Sequence, residues 1–157
     1  MRCLDRGRQQ LLDAHYAFIL LSDEKWWKRL CERNRNGNQI HAFVRRSRVG
    51  PLETEKLFFY VKRPVMQIRG VADFIERLSG NYKELWFSYG NATCLKTFDE
   101  YITFLRGRET VTFIRFKNFC ELDNPIPMEV IKKILDVLRI PRNGKYINRE
   151  TANQLMV

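Results

Sequence analysis

The sequence predicts an α+β domain in which helices surround a small barrel or strongly curved β-sheet. Segments rich in β-branched and aromatic residues are short, and they are interleaved unevenly with amphipathic segments. The glycine-rich phosphate loops that accompany many doubly wound sheets are missing from the sequence. These observations favour a small curved sheet over a doubly wound one.

The length of the chain, 157 residues, is typical of a single domain with one core. We expect residues 1–15 to be an N-terminal extension and residues 16–157 to form the domain. The charged start, and an apolar run at residues 18–21 that is too short for a signal peptide or a membrane span, predict a cytoplasmic protein without membrane contact.

Cysteine and histidine usage argues against a metal site. The cysteines at positions 3, 31, 94 and 120 form no C-x-x-C pair, and we interpret them as reduced thiols. His15 and His41 have no cysteine or carboxylate partner at metal-ligand spacing. We therefore expect no metal and no cofactor.

Five strands follow from residue patterns. Residues 66–74 alternate apolar and polar side chains, as a strand with one covered face does. The segment at 110–116 is rich in β-branched and aromatic residues, which is typical of a central strand. The other predicted strands are 16–21, 41–44 and 57–61.

Helix starts are marked by capping residues. Ser22 is followed by two acids, and Asn81 with Glu84 and Thr97 with Glu100 match the capping-box pattern. The first helix should end in cationic residues before Gly37. A further helix should open at the prolines of positions 125 and 127 and end near position 141, and a turn at 143–144 should precede a terminal segment capped by the asparagine at 148.

Positive charge is the main functional signal. The formal net charge is +10 and the sequence pI is near 9.7, which favours polyanionic partners. The segment at residues 25–48 contains eight basic residues and a single acid, Glu32. We predict that it contacts nucleic acid through Lys25, Lys28, Arg29, Arg33, Arg35, Arg45, Arg46 and Arg48.

Other basic residues should extend this surface. Lys62, Arg63 and Arg69 lie near one turn of the predicted sheet, and Arg115 and Lys117 flank a strand end that a barrel could bring close to them. The basic stretch 139–149 fits either a contact surface or the usual cations at a helix C-terminus. Trp26 and Trp27 point about 100° apart on a helix, so one should be core and the other at most a stacking platform.

The middle of the chain resembles a known family in four motifs. These are KLFFYVKRPVMQIRGVADFIERL at 56–78, ELW at 84–86, TFDEYITFLRGRETVTFIRFKNF at 97–119 and NPIP at 124–127. They are similar to archaeal proteins of the PUA-like superfamily, close to the ASCH group, in an uncharacterised subfamily. The pattern includes a strand with a central glycine, here Gly70.

This resemblance implies a PUA-like pseudo-barrel with surrounding helices, a ligand groove between the barrel and the first helix, and RNA-related work. ASCH proteins usually have G-x-K-x-x-E-x-R after the first helix. Residues 37–44 of this chain lack those acidic and basic positions. The departure argues against the amide hydrolysis that some relatives perform on a modified base with a Lys, Thr and Glu set.

The function predicted from charge and resemblance is a non-enzymatic RNA-binding module acting on tRNA or rRNA, with a ribosome or RNA-modification complex as one setting. One alternative is a small amidohydrolase on a modified nucleoside, for which Glu53, Thr54, Glu55 and Lys56 are the nearest grouping. His41 has the intrinsic pKa of a general base but lacks an orienting carboxylate. Another alternative is a protein-interaction subunit, and no catalytic residue is assigned.

Overall fold

The structure, a computed structural model, describes residues 13–47 and 50–157. Its strands are β1 (Ala17–Ser22), β2 (Ile40–Arg45), β3 (Lys56–Val61), β4 (Gln67–Asn81), β5 (Thr110–Pro127) and β6 (Lys145–Ile147). Its helices are α1 (Glu24–Arg35), α2 (Tyr82–Tyr89), α3 (Phe98–Leu105), α4 (Met128–Leu135) and α5 (Arg149–Met156), with a 3-10 turn at Gly90–Ala92. No helix in these two described ranges is long and apolar enough to cross a membrane.

All six strands belong to one mixed sheet with the order β2-β5-β4-β3-β1-β6. β1 and β3 run parallel, and the other neighbouring pairs are antiparallel. The connection between β1 and β3 contains α1 and β2, as a parallel pair requires a long crossover. The α+β class predicted from the sequence is therefore confirmed.

The expected barrel is not closed. β2 and β6 stand at the two ends of the strand order and share no ladder in the part of the chain that is described. β4 and β5 have register shifts near Ile68, Val71 and Phe74, and such bulges bend and twist a sheet. The sheet is thus an open, irregular one, and a side chain rather than backbone pairing bridges its ends: Arg45 Nη1 donates to the Asn143 carbonyl at 3.1 Å.

Strands β1 and β3 are buried on both faces, and their side chains alternate between two cores. Phe18, Leu20, Leu57 and Phe59 pack with Trp27 of α1 in one core. The intervening residues of the same strands pack against α4 and α5 in the other: Ala17, Ile19, Phe58 and Tyr60 with Met128, Ile131, Ala152 and Leu155. A continuous apolar run is what a strand covered on both faces requires.

A third apolar cluster fixes α2 and α3 against β2 and β5. Tyr101 is fully buried, stacks on Trp86 with ring centroids 4.5 Å apart, and donates from its hydroxyl to the Tyr82 carbonyl at 2.8 Å. Phe113 meets the same ring edge-on. These contacts place α3 beside the open end of the sheet.

Three of the four predicted caps are confirmed. The Asn81 side chain accepts from the backbone N–H groups of Lys83 and Glu84, and Thr97 and Asn148 cap α3 and α5 in the same way. The prediction for Ser22 is wrong, because β1 extends through this residue and Asp23 is the N-cap.

Two element lengths also differ from expectation. β4 continues past the predicted strand because residues 76–81 pair with 110–115, and β5 continues past position 116 because residues 117–127 run antiparallel to 67–73. α4 ends at Leu135, where Asp136 adopts the left-handed conformation, and does not extend to position 141. Most of the expected extension, residues 1–12, lies outside the described residues, so the domain boundary stays a prediction.

Candidate nucleic-acid interface

A cavity of about 480 Å³ lies between α1, the end of β1, β2 and the turn before β6. We call it the cation groove because it is lined by the basic side chains of Arg45, Arg46, Lys62, Arg108 and Arg142. In the described ranges the one carboxylate that lines it is Asp23, which pairs with Lys62 at 2.9 Å. The groove therefore presents an excess of positive charge.

Arg45 is the most enclosed cation of the groove. It ends β2, is half-buried, and reaches across to the carbonyl of Asn143. Burial lowers the pKa of Arg45 to about 10. The guanidinium is still charged at neutral pH, and in a partly desolvated site its attraction for an anion is screened less than it would be on an open surface.

Aromatic side chains form one wall of the groove. Trp26 of α1 and Phe104 of α3 meet edge-to-face with centroids 5.6 Å apart. The Arg46 guanidinium lies over the Phe104 ring at 5.1 Å, and the Lys25 ammonium lies 4.8 Å from the Trp26 centroid. Both rings are half-buried, and cations beside accessible aromatic faces are the combination that binds single-stranded nucleic acid, by stacking on bases and neutralising phosphates.

The opposite side of the groove is the edge of β2. Six consecutive residues, 42–47, line the cavity, although alternate side chains of a strand point to opposite faces. β2 is the end of the strand order and pairs with β5 alone in the described structure, so its other edge turns main-chain N–H and C=O groups toward the groove. Those groups can hydrogen-bond the polar edge of a base.

Twelve of the thirteen residues predicted to contact nucleic acid are described, and the fold disperses them. Arg45, Arg46 and Lys62 meet in the cation groove. Five of the predicted cations are paired with acids: Lys28 with Glu24, Arg29 with Glu100, Arg35 with Glu121, Lys62 with Asp23 and Arg115 with Glu76. Much of the charge counted in the sequence is therefore already neutralised within the protein.

The remaining predicted cations are not among the residues that line the cation groove. Lys25 lies on the Trp26 ring, and Arg33 lines a second cavity. Arg63 and Lys117 are exposed. Arg69 lines another cavity with Arg35 and Glu121. Arg48 lies outside the described residues.

Two cations and one aromatic side chain of the groove were not among the predicted contacts. Arg108 follows the left-handed Gly107 after α3, Arg142 precedes the turn at Asn143, and Phe104 is on α3. Arg142 belongs to a basic stretch that the sequence left undecided. Arg108 stands between Gly107 and Glu109, and no local pattern distinguishes it from an ordinary surface residue.

The two adjacent tryptophans divide as expected. Trp27 is buried and packs edge-on against Phe119 at 5.4 Å, whereas Trp26 is half-buried in the groove wall.

The grouping around Lys56 has no activated nucleophile: the Thr54 hydroxyl is buried beside the Lys56 carbonyl, and a hydrogen bond to Asp73 raises the pKa of the Lys56 amine. An amine held protonated is a poor base.

Three strongly exposed apolar side chains lie on different parts of the fold. Phe87, Leu138 and Leu52 are 93%, 92% and 71% exposed and lie on α2, after α4 and before β3. Single exposed apolar residues are normal on protein surfaces and do not by themselves indicate a protein partner.

The fold and the groove define a class: an α+β domain with an open, curved mixed sheet and a basic cavity beside its first helix. Solved structures with this fold include ASCH from Zymomonas mobilis, with a TM-score of 0.74 and 18% sequence identity, covering 90% of this chain and 94% of that chain. A serine-to-alanine mutant of ZmASCH has a TM-score of 0.72 at 18% identity, covering 92% of this chain and 96% of that chain. A tyrosine-to-phenylalanine mutant of it has a TM-score of 0.73 at 18% identity, covering 89% and 96%.

These likenesses show that the chain has the ASCH fold. No protein-family model matches the sequence, and no curated protein is significantly similar to it. The resemblance seen in the sequence is thus supported at the level of the fold.

Proposed function

We propose that this chain is a non-enzymatic RNA-binding module that holds a single-stranded segment of tRNA or rRNA in the cation groove. The observation that carries this proposal is the coincidence, in one cavity, of five cations, one paired carboxylate and the Trp26–Phe104 wall. The fold likeness to ASCH and the net charge of +10 support it.

Single strands fit the groove better than duplexes. The cavity of about 480 Å³ is the size of a small-ligand pocket, which admits an unstacked base and not a double helix. Sequence-specific RNA recognition mostly targets loops and ends whose bases can splay out onto aromatic side chains. The unpaired edge of β2 then supplies main-chain donors and acceptors to the base.

For the groove we propose binding rather than hydrolysis. In the groove, the aromatic wall and the cations can bind and orient a nucleotide. The described lining contains no carboxylate other than Asp23, which Lys62 holds, and no histidine. A general base positioned for proton transfer is therefore missing from the lining.

The test is the salt dependence of RNA binding, measured by fluorescence anisotropy with a short labelled oligouridylate. About four phosphate contacts predict a slope of log affinity against log salt of about −3. Replacing Arg142 or Arg46 by Gln should weaken binding and reduce the slope by about 0.7 each. Trp26→Ala should weaken binding without changing the slope, because a stacking contact releases no counterions.

A matched control is available on α4, where Lys132 is exposed and absent from the groove lining. Lys132→Gln removes the same charge and should leave the slope nearly unchanged. Absence of RNA binding at low salt, or equal losses in Lys132→Gln and Arg142→Gln, would refute the proposed function. Duplex DNA should compete poorly in the same assay.

A further inference from the structure

A second cavity, of about 330 Å³, adjoins the cation groove on the other side of the Cys94–Leu95 segment, which lines both. Trp26 and Leu30 of α1 face the groove, and Arg29 and Arg33 face the second cavity. Residues three or four apart on a helix have Cβ atoms about 5–6 Å apart, so Trp26 and Arg29 are neighbours, and the Arg29 guanidinium lies 5.1 Å from the Trp26 ring centroid. A nucleic-acid strand with one base in the groove therefore has its next backbone phosphate beside the second cavity.

We propose that the second cavity binds the backbone phosphate next to the base held in the groove, so that the ligand is a polynucleotide strand and not a free nucleotide. This inference rests on the proposed function. It assigns the phosphate to Arg33 and Lys96, with the Asn91 amide beside them.

The charges of this cavity favour an anion at Arg33 and Lys96. Arg29 is already satisfied, because Glu100 accepts from both of its terminal nitrogens. Arg33 and Lys96 have no ion pair within the described structure, and Arg33 Nε is buried without a hydrogen-bond partner. Glu32 is the opposing carboxylate of the lining, and it is exposed to solvent.

Two neighbours of Arg33, His41 and Cys94, carry no charge at neutral pH. His41 lies in the sheet beneath it, and burial together with the Arg33 charge lowers the pKa of His41 to about 4, so this ring is neutral. Burial raises the pKa of the Cys94 thiol to about 11, so the wall shared by the two cavities carries no thiolate. Among these three groups, Arg33 alone is charged.

Donors elsewhere in the cavity are partly used by the protein itself. The Thr93 hydroxyl donates to the Gly90 carbonyl at 2.8 Å, and the Asn38 amide donates to the Arg33 carbonyl at 3.0 Å. The latter bond holds the end of α1 against the following loop. These bonds stiffen the rim of the cavity, and they leave the two cations as the groups that meet a phosphate.

The experiment compares Arg33→Gln, Lys96→Gln and the Lys132→Gln control with wild type, using the labelled oligouridylate over a salt series. Each cavity variant should lower affinity by roughly fivefold to tenfold. Each should also reduce the salt slope by about 0.7, as loss of one single-strand phosphate contact does. Arg33→Lys keeps the charge and should restore most of the slope.

Lys96 is exposed on the surface, so Lys96→Gln tests the site even if Arg33→Gln disturbs the fold. The inference is overturned if both cavity variants behave like Lys132→Gln while Arg142→Gln loses affinity, an outcome that leaves the proposed function intact. Failure of wild type to bind RNA at all would instead remove the proposed function.

Titration of the RNA-free protein with inorganic phosphate distinguishes a strand from a free anion. We expect no saturable phosphate binding, because two cations at an open cavity hold a phosphate only when the neighbouring base anchors it. Saturable phosphate binding that Arg33→Gln abolishes, with oligouridylate binding unchanged, would make the cavity a site for a free anion and overturn the inference.

Discussion

Arg29 and Glu100 form a two-point ion pair that joins α1 to α3, with Nη1 and Nη2 of the arginine 2.5 and 3.1 Å from the two carboxylate oxygens. The same carboxylate accepts from the backbone N–H of Lys96 at 2.9 Å. The predicted capping box at Thr97 is therefore half realised: Thr97 caps the helix, while Glu100 turns to Arg29 and Lys96. This pair fixes the wall between the groove and the second cavity.

Replacing Glu100 by Gln should lower the free energy of unfolding by about 1–2 kcal/mol, because it leaves the half-buried Arg29 without its counter-charge. Arg29 and Glu100 are 20% and 28% exposed, so solvent screens the pair only in part. The matched control is Glu24→Gln, which breaks the exposed Glu24–Lys28 pair and should cost at most about 0.5 kcal/mol. Urea denaturation of both variants measures the difference, and equal losses would contradict the prediction.

The ionisation of Glu100 also makes the free energy of unfolding depend on pH in the acid range. The hydrogen bonds from Arg29 and from the Lys96 backbone lower the pKa of this carboxyl to about 2, below its usual value near 4.5. A carboxyl group whose pKa is lower in the folded state than in the unfolded state stabilises the fold at any pH above its unfolded-state pKa. This contribution is lost as the pH falls toward the folded-state pKa. We expect wild type to lose this contribution between pH 4.5 and 2, and Glu100→Gln to lack that step in the same denaturation series.

His41 predicts a second pH dependence at a higher pH. The ring is fully buried, and burial followed by the Arg33 charge lowers the pKa to about 4. Because the unfolded chain takes up the proton near pH 6.5 and the folded chain does not, stability falls as pH drops from about 6.5 to 4. The expected loss is roughly 2–4 kcal/mol.

The substitution that tests this is His41→Gln, which can still donate to the Asn34 side-chain oxygen that His41 Nε2 approaches at 3.2 Å. Its unfolding free energy should vary much less between pH 6.5 and 4 than that of wild type. Parallel curves for the two proteins would show that His41 is not the group whose titration lowers stability in this range. Arg33→Gln should raise the pKa of His41 and make the loss of stability over the same range smaller than in wild type.

The strand and helix predictions succeeded where the pattern was local. Alternation at 66–74 identified β4, and side-chain oxygens at Asn81 and Thr97 marked helix starts, because a cap bonds amides only two or three residues away. The prediction that Ser22 caps the first helix was wrong because β1 pairs with β3 through this residue. A strand partner far along the chain outweighs a local capping preference.

The site was less predictable because a count of basic residues in the sequence does not show which of them form ion pairs with acids in the fold. The basic run contains Lys28, Arg29 and Arg35, and their acids lie at positions 24, 100 and 121, two of them brought close by the fold alone. Arg108 joins the groove from the far end of α3 for the same reason. Whether the sheet closes into a barrel depends on whether the two end strands, β2 and β6, pair with each other, and a short stretch of sequence does not show this.

Gly70 is the position at which the family pattern and the packing agree. A Cβ built there would stand 2.5 Å from Cη2 of the Trp27 indole and 3.2 Å from the Cys120 carbonyl oxygen. Gly70→Ala should therefore cost about 1–3 kcal/mol by overpacking. Gly80 is the control, because it lies on the same strand and a Cβ added to it would meet nothing within 4 Å, so Gly80→Ala should be neutral or slightly stabilising.

Thermal unfolding of Gly70→Ala, Gly80→Ala and wild type measures this prediction. For a domain of this size, 1 kcal/mol corresponds to a change in Tm of roughly 2–8 °C. Near-UV circular dichroism should change in Gly70→Ala only, because Trp27 must shift. If both alanine variants melt together, the indole is not packed on Gly70 as the structure has it.

Lys56 allows a direct test between the RNA-binding module and the amidohydrolase. It lines a third cavity with Tyr16, Asp73 and Asn118, and that cavity shares no residue with the cation groove. The hydrogen bond from Asn118 and that from Lys56 lower the pKa of the Asp73 carboxyl, so this pair stays ionised at neutral pH. A protonated amine bonded to a carboxylate is a structural ion pair, and it has no free lone pair with which to take a proton.

We therefore expect Lys56→Gln and Thr54→Val to leave oligouridylate affinity within about twofold of wild type, whereas Arg142→Gln lowers it. Incubation of wild type with acylated nucleosides, followed by chromatography, should show no turnover above the rate without protein. Turnover that Lys56→Gln abolishes would support the hydrolase and move the chemistry from the groove to the third cavity. Lys56→Gln also removes the pair with Asp73, so its fold must first be verified by circular dichroism before either result is interpreted.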